Sequence, residues 1–126
     1  MTTQGVRVRR RRVLLVDDHR DSAEMLGLLL ARRGFDVTIA HTVETALTAA
    51  RETQVDVVVS DIGLPDGTGH DLLRMLRRAS PLPAVALSGL DRGVGPRAQD
   101  DAGFDEYFRK PVTVDSLAAT LRRLCG

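Results

Sequence analysis

Four short apolar runs in this chain each end on a chemically reactive side chain. Val13-Leu14-Leu15-Val16 leads into Asp17 and Asp18, Val57-Val58-Val59-Ser60 into Asp61, Ala84-Val85-Ala86-Leu87 into Ser88, and Tyr107-Phe108-Arg109 into Lys110 and Pro111. Runs this short and continuous suit strands covered on both faces, as in a parallel sheet. Helical signals alternate with them along the whole chain, which is the pattern of a βα-wound sheet. Aligned in parallel, the strands carry three carboxylates, a hydroxyl and an ammonium to one edge. In open α/β sheets the ligand crevice lies outside the carboxyl ends of the strands, so the same pattern predicts a site.

The intervening segments read as follows. Asp21 or Ser22 caps a first helix through Ala23, Leu26, Leu29 and Leu30, ended by Gly34. Residues 35–40 form the second strand, and 42–52 a helix opened by Thr42 and Thr45 as an imperfect capping box. Residues 55–60 are the most strand-like and belong in the middle of the sheet. Gly63, Pro65, Gly67 and Gly69 then punctuate a loop longer than most βα connections, a functional candidate. Helix returns over 70–79, strand over 84–87 and 104–109, and a final amphipathic helix carries Val114, Leu117, Ala118, Leu121 and Leu124. Between the last two strands Gly89, Gly93, Gly95 and Pro96 leave only a weak helix over 97–102. Five strands and five helices account for the chain, with no residues over for an appended effector.

At 126 residues the chain is one domain able to hold a core without staples. Its single cysteine, Cys125, offers no disulfide framework and suits a reducing cytosol. No apolar run approaches the ~20 residues of a membrane span, so a cytoplasmic protein with no membrane partner is expected. Residues 1–11 read as a basic leader and 12–126 as the domain. Residues 1–12 hold five arginines and no acid, leaving 13 basic against 17 acidic residues in the body. A mildly acidic body with three Phe, one Tyr and no Trp gives no basic stripe and few stacking platforms, so no direct nucleic-acid contact is expected.

Three carboxylates at one edge repel unless a cation joins them. An oxygen-only donor set with few protein ligands suits a hard ion, and Mg²⁺ better than Ca²⁺. Magnesium points to phosphoryl transfer, for which Lys110 supplies a fixed positive charge and Ser88 a hydroxyl donor. Taken singly, each residue has a plainer role: Asp17 or Asp18 as a helix cap, Asp61 or Ser88 as a turn residue.

The motifs VLLVDD, DIGLPDGTG, ALSG and YFRKP, in this order and spacing, resemble the receiver domains of two-component response regulators over residues 12–124. The resemblance implies a flavodoxin-like, CheY-like five-stranded parallel sheet of order 2-1-3-4-5 flanked by five helices. It also implies a switch rather than a turnover enzyme. Asp61 would accept a phosphoryl group from a histidine kinase or phosphotransfer domain. Asp18, Asp61 and the Gly63 carbonyl would bind Mg²⁺, with Asp17 acting through a metal-bound water. Lys110, presented by a cis bond to Pro111, would pair with Asp61 and then with the phosphoryl group. Ser88 would swing to the phosphoryl oxygens and Tyr107 rotate inward behind it, altering the face of the fourth helix, fifth strand and last helix. Phosphorylation-dependent dimers would fit such a switch. Pro65 and Gly69 hold the family's spacing after Asp61. The wording DIGLPDGTGHDLL, LPAVALSG and AGFDEYFRKPV looks most like receivers of hybrid histidine kinases, so the chain reads as a stand-alone receiver or a part of such a kinase.

Two features depart from the family pattern. Gly63 has no side chain to guide or block a hydrolytic water, and the segment 89–96 weakens the fourth helix, which is expected to be short or mobile. Competing readings are a pseudo-receiver that binds without phosphorylation, and a haloacid-dehalogenase-type phosphatase, which needs an acid where Gly63 stands. A dinucleotide site is excluded by the absence of a Gly-rich turn after the first strand. His19 reads as a polar first-turn residue, His41 and His70 as surface groups at helix starts, and Arg74, Arg77 and Arg78 as a solvated basic face.

Overall fold

Successive residues of a strand point to opposite faces, and the buried strands use this alternation to build two cores at once. The computed structural model describes residues 10–89 and 103–125. The elements run β1 Arg11–Val16, α1 Arg20–Arg32, β2 Phe35–Ala40, α2 Val43–Glu52, β3 Val57–Asp61, β4 Gly63–Leu64, β5 Gly67–Thr68, α3 Gly69–Leu76, β6 Ala84–Ser88, β7 Glu106–Arg109 and α4 Val114–Cys125. Leu14, Val16, Val58, Ala84 and Ala86 face α2 and α3, where Ala46, Leu72, Leu73 and Leu76 cover them. Val13, Leu15, Val57, Val59, Val85 and Leu87 face the other way, under Leu30 of α1 and Leu117 and Leu121 of α4. Each fully buried Leu contributes ~2 kcal/mol of transfer free energy, so the central strands are fixed from both sides.

The main sheet is parallel, of order β2-β1-β3-β6-β7. This is the expected 2-1-3-4-5 order once the two-residue strands β4 and β5 are set aside as an antiparallel hairpin of their own. That hairpin replaces the open loop expected after Asp61. Among the described residues there are four helices, not five; the weak helix expected over 97–102 lies outside them, as does most of the basic leader. β1 begins at Arg11, within the segment expected to be leader.

Helix ends differ from the sequence reading in instructive ways. The N-cap of α1 is His19, which makes no side-chain cap, rather than Asp21 or Ser22. Asp17 fixes the residue before the helix instead, its Oδ1 accepting from the N–H of the N-cap His19 at 2.9 Å, while the cap itself stays without a side-chain acceptor. At α2 the capping box of Thr42 and Thr45 is complete, and α3 has another from Thr68 and Asp71. Because Thr68 is the cap, α3 starts at Gly69 and stops at Leu76. Its C-terminal end is tied down by Arg77, which donates to Leu82 O and Gly103 O, each at 2.9 Å, and pairs with Asp105 at 3.2 Å. Arg77 is thus a brace, not part of a solvated face. No helix among the described residues is long and apolar enough to cross a membrane.

Candidate functional site

Parallel pairing in register places Val16 beside Ser60, Asp61 beside Leu87 and Ser88 beside Arg109. The residues just beyond these pairs therefore meet at one edge. Asp17 and Asp61 are both buried there, and Lys110 Nζ lies 2.8 Å from Asp61 Oδ1 and 3.5 Å from Asp17 Oδ2. The Lys110 backbone is held by its N–H to Ser88 O at 2.7 Å, and its bond to Pro111 is cis. Asp18, next to Asp17, is turned outward and exposed.

Burial is the largest influence on Asp61, and with the hydrogen-bonded Asp17 it pushes the pKa up to about 7 against the pull of Lys110. Asp17 also resists ionisation through burial, but its bonds to Asp61 and the His19 N–H, with the Lys110 charge, hold it below the usual carboxylate range. Burial opposes the Lys110 charge too, yet Asp61 and Asp17 outweigh it and raise that pKa above its ordinary value. The two acids share an environment but not a protonation preference, an arrangement that recurs where carboxylates do chemistry.

Asp61 Oδ1 is buried and makes no well-directed hydrogen bond, its contact with Lys110 being ionic. Ligand atoms of Asp17, Asp18 and His19 lie within 4.8 Å of one another. Asp61 is not part of that group; its buried oxygen, with acceptor capacity to spare beside Asp17, and the Asp17–Asp18 pair match a hard divalent cation. Gly63 opens the hairpin next to this cluster and is exposed, with nothing within 4 Å of where a Cβ would stand.

The remaining candidates divide between the crevice and its supports. Ser88 is buried at the end of β6. Tyr107 is half-buried and turned toward α3, its ring 5.6 Å from Phe104 and its hydroxyl a long 3.5 Å from His70 Nε2. His70 is accordingly a core residue, edge-on to Phe104 at 5.4 Å, and not the surface group its helix-start position suggested. His41 is also half-buried, with Nδ1 2.7 Å from Asp17 O. Pro65 is exposed in the hairpin turn. Gly69 packs against Asp61 itself: its N–H donates to Ile62 O at 2.7 Å, and a Cβ there would fall within 3.0 Å of the Asp61 carbonyl oxygen. Asp66, in the motif but not singled out by sequence, accepts from the N–H groups of Val43 and Glu44 at 2.8 and 3.1 Å. Its partners stand more than twenty residues away, and no local signal announces them.

A groove of about 690 Å³ runs from Asp17 and Lys110 along α1, past Met25, Leu26 and Leu29. Met25 and Leu28 are the most exposed large apolar side chains among the described residues.

Comparison with known proteins gives a consistent result. The family model of the response regulator receiver domain matches residues 13–122. The chain is 39% identical over 113 residues to "Probable transcriptional regulatory protein TcrX" of Mycobacterium tuberculosis, covering 89% of this chain and 48% of that protein. It is 36% identical to "KDP operon transcriptional regulatory protein KdpE" of Escherichia coli, covering 87% and 49%. With "DNA-binding response regulator MtrA" of Mycolicibacterium paratuberculosis it shares 38% identity over 90% of this chain and 50% of the other. The chain thus spans about half the length of these curated relatives. A receiver domain from Methylobacillus flagellatus superposes with a TM-score of 0.80 at 32% identity, covering 92% and 99%, and one from Methanospirillum hungatei with 0.85 at 25%, covering 93% and 94%. These relatives are regulators rather than hybrid kinases, and the name of MtrA gives no support to the expectation that nucleic acid is not a partner. A sheet edge that gathers two buried carboxylates and an ammonium, and a likeness that spans nearly the whole described fold, lead to one conclusion: the chain belongs to the response regulator receiver domains, the phosphoacceptor modules of two-component signalling.

Proposed function

We propose that Asp61 is the phosphoacceptor. The observation that carries this is the buried Asp61 carboxylate, 2.8 Å from Lys110 Nζ, at the carboxyl end of the central strand. An Asp61 oxygen attacks the phosphorus of a phosphohistidine; the new O–P bond forms as the P–N bond breaks, and the imidazole leaves with its electron pair and takes up a proton. Asp61 attacks only as the anion, and Lys110 favours that form. Lys110 and the Ser88 hydroxyl then neutralise and hold the phosphoryl oxygens. Asp17, Asp18, Asp61 and the Gly63 carbonyl are proposed to hold Mg²⁺, which when bound offsets negative charge on the transferring group. The carboxylate oxygens of Asp17 and Asp18, which group with a ring nitrogen of His19, and the spare acceptor on Asp61 support a divalent ion there.

The phosphodonor, a histidine kinase or phosphotransfer domain, docks along the α1 groove, whose apolar wall ends at the carboxylates. Tyr107 packs against His70 beside the strand end that carries Lys110, and we propose that it relays the phosphorylated state to the surface formed by the last strand and last helix. A response regulator is the favoured setting, because the curated relatives are named as regulators. A receiver within a hybrid kinase is the alternative, supported only by motif wording. DNA binding as named for MtrA is proposed as a property of an output partner or segment, since the body here is mildly acidic and poor in aromatics. The localisation proposed is cytoplasmic.

The test is incubation with Mg²⁺ and acetyl phosphate followed by intact mass. An adduct of about 80 Da, the mass of a phosphoryl group, absent without Mg²⁺ and in Asp61→Asn, supports the reading. No adduct from any donor would move the assignment to a pseudo-receiver.

A further inference from the structure

We propose that His41 and Asp66 act as positioning residues for the cation site, tying its two ligand-bearing loops to the start of α2, one through the residue before its N-cap and the other through its first N–H groups. The proposal rests on the Mg²⁺ reading above. Asp17 leads one of these loops, and both of its peptide groups are held by the end of β2. Its N–H donates to Ala40 O at 3.0 Å, and its carbonyl accepts from His41 Nδ1 at 2.7 Å. A carbonyl only accepts, so Nδ1 of His41 carries the proton in this contact.

The second ligand loop is the hairpin of β4 and β5, which begins at the Gly63 carbonyl. Asp66 sits in its turn and bridges to α2, Oδ1 accepting from Val43 N–H and Oδ2 from Glu44 N–H. These are the first two N–H groups of α2, and Thr42 takes the third, from Thr45, at 3.0 Å. A helix leaves such donors unpaired unless something outside its ladder accepts them. Here the acceptor for two of them comes from a loop 22 and 23 residues away. Asp66 does nothing comparable for its own helix, since α3 is capped by Thr68. The hairpin also packs directly on the same turn: a Cβ at Gly67 would lie 3.2 Å from Val43 Cγ2.

His41 and Asp66 are therefore links in series, from Asp17 through the α2 turn to Gly63. Neither touches the proposed ion. Groups that orient metal ligands from behind typically change metal affinity about 10- to 100-fold when removed. A series arrangement has a distinctive consequence: cutting either link loosens the connection between the loops, which the Asp17 N–H to Ala40 O bond keeps in part, and cutting both adds little.

The experiment is calorimetric titration of Mg²⁺ into the whole unphosphorylated chain, paired with urea midpoints. Wild type is compared with His41→Ala, His41→Asn, Asp66→Ala, Asp66→Asn, the double Ala variant and Thr42→Ala. The last weakens the α2 cap without touching either link. Both single Ala variants are expected to bind Mg²⁺ about tenfold more weakly, and the double variant no more than about twofold worse than the weaker single. His41→Asn, which keeps a side-chain N–H donor, recovers most of the affinity. Asp66→Asn, which keeps one of two acceptors, falls between. Thr42→Ala lowers the urea midpoint but leaves Mg²⁺ affinity as in wild type. Wild-type affinity in both single Ala variants would overturn the proposal, as would a loss in Thr42→Ala equal to theirs. A wild type that binds no Mg²⁺ at all overturns the metal reading itself, and the clamp with it.

Discussion

Replacing Gly69 by Ala tests how tightly the loop after the acceptor strand is built. A Cβ at this position would stand within 3.0 Å of the Asp61 carbonyl oxygen, 3.1 Å from Ser60 Oγ and 3.3 Å from the Asp61 carbonyl carbon. Ordinary contact begins near 3.4 Å, so well over half an ångström must be found at the carbonyl oxygen. The two Asp61 atoms are backbone of β3, a strand buried along its whole length and paired on both sides. They cannot rotate away. Overpacking of this kind costs ~1–3 kcal/mol, from which the better helix propensity of Ala at the start of α3 recovers up to ~1 kcal/mol. The net loss is about 1–2 kcal/mol, or roughly a 1 M fall in urea midpoint at unchanged m for a small domain. The displaced Asp61 would also lose its alignment with Lys110, and an offset approaching 1 Å can cost ~100-fold in a positioned reaction, so about tenfold slower phosphorylation is expected here. Gly63→Ala, with nothing within 4 Å, serves as the comparison in the same loop and should leave the stability within about 0.5 kcal/mol of wild type. If Gly69→Ala matched Gly63→Ala in both stability and phosphorylation rate, the close approach argued here would be refuted.

Three further outcomes are expected. The Asp61 pKa is raised in the folded protein, so this group's contribution to stability is present below about pH 4 and is lost as pH rises through about 7. In the absence of divalent ions, Asp61→Asn should therefore be more stable than wild type at pH 8, with the gap closing between pH 7 and pH 4. The shift corresponds to roughly 4 kcal/mol, reduced by solvent screening and by coupling to Asp17 to about 2 kcal/mol, and urea titrations across that range measure it. Lys110→Ala should slow phosphorylation from acetyl phosphate about 100-fold at saturating Mg²⁺, as removal of one preorganised charge partner does elsewhere, while leaving the circular dichroism spectrum unchanged. Arg77→Met removes a charged donor from two carbonyls and from Asp105, and should lower stability by about 1–2 kcal/mol without altering the phosphorylation rate; a rate change equal to that of Lys110→Ala would show that the brace reaches the site.

Much of the sheet and the convergence at its edge were legible because both follow from short-range pattern. Apolar runs such as Val57 to Val59 cannot be satisfied except between two layers, and the residue that ends each run must emerge at the same edge. What stayed hidden depends on partners distant in sequence. His70 follows a helix cap and looks solvent-facing, but Phe104 and Tyr107 close over it from beyond β6. Arg77 looks like part of a basic stripe until Gly103 and Asp105 arrive to accept its donors. α1 starts earlier than Asp21 or Ser22 suggest because Asp17, at a strand end, holds the N–H of the N-cap His19 and lets the helix begin at Arg20 with no side-chain cap. The loop after Asp61 carries ordinary turn residues, and only the pairing of Gly63 with Thr68 and of Leu64 with Gly67 makes it a hairpin. Asp66 belongs to the same class, since a turn aspartate gives no sign that it caps a helix more than twenty residues upstream.

The central claim is that one of three neighbouring carboxylates takes the phosphoryl group. The direct measurement is peptide mapping of the protein after brief exposure to Mg²⁺ and acetyl phosphate, read by mass spectrometry under acidic conditions. A single phosphoryl group is expected on the peptide containing Asp61, lost in Asp61→Asn and sharply reduced in Lys110→Ala. A phosphoryl group found instead on Asp17 or Asp18, or retained in Asp61→Asn, would contradict it.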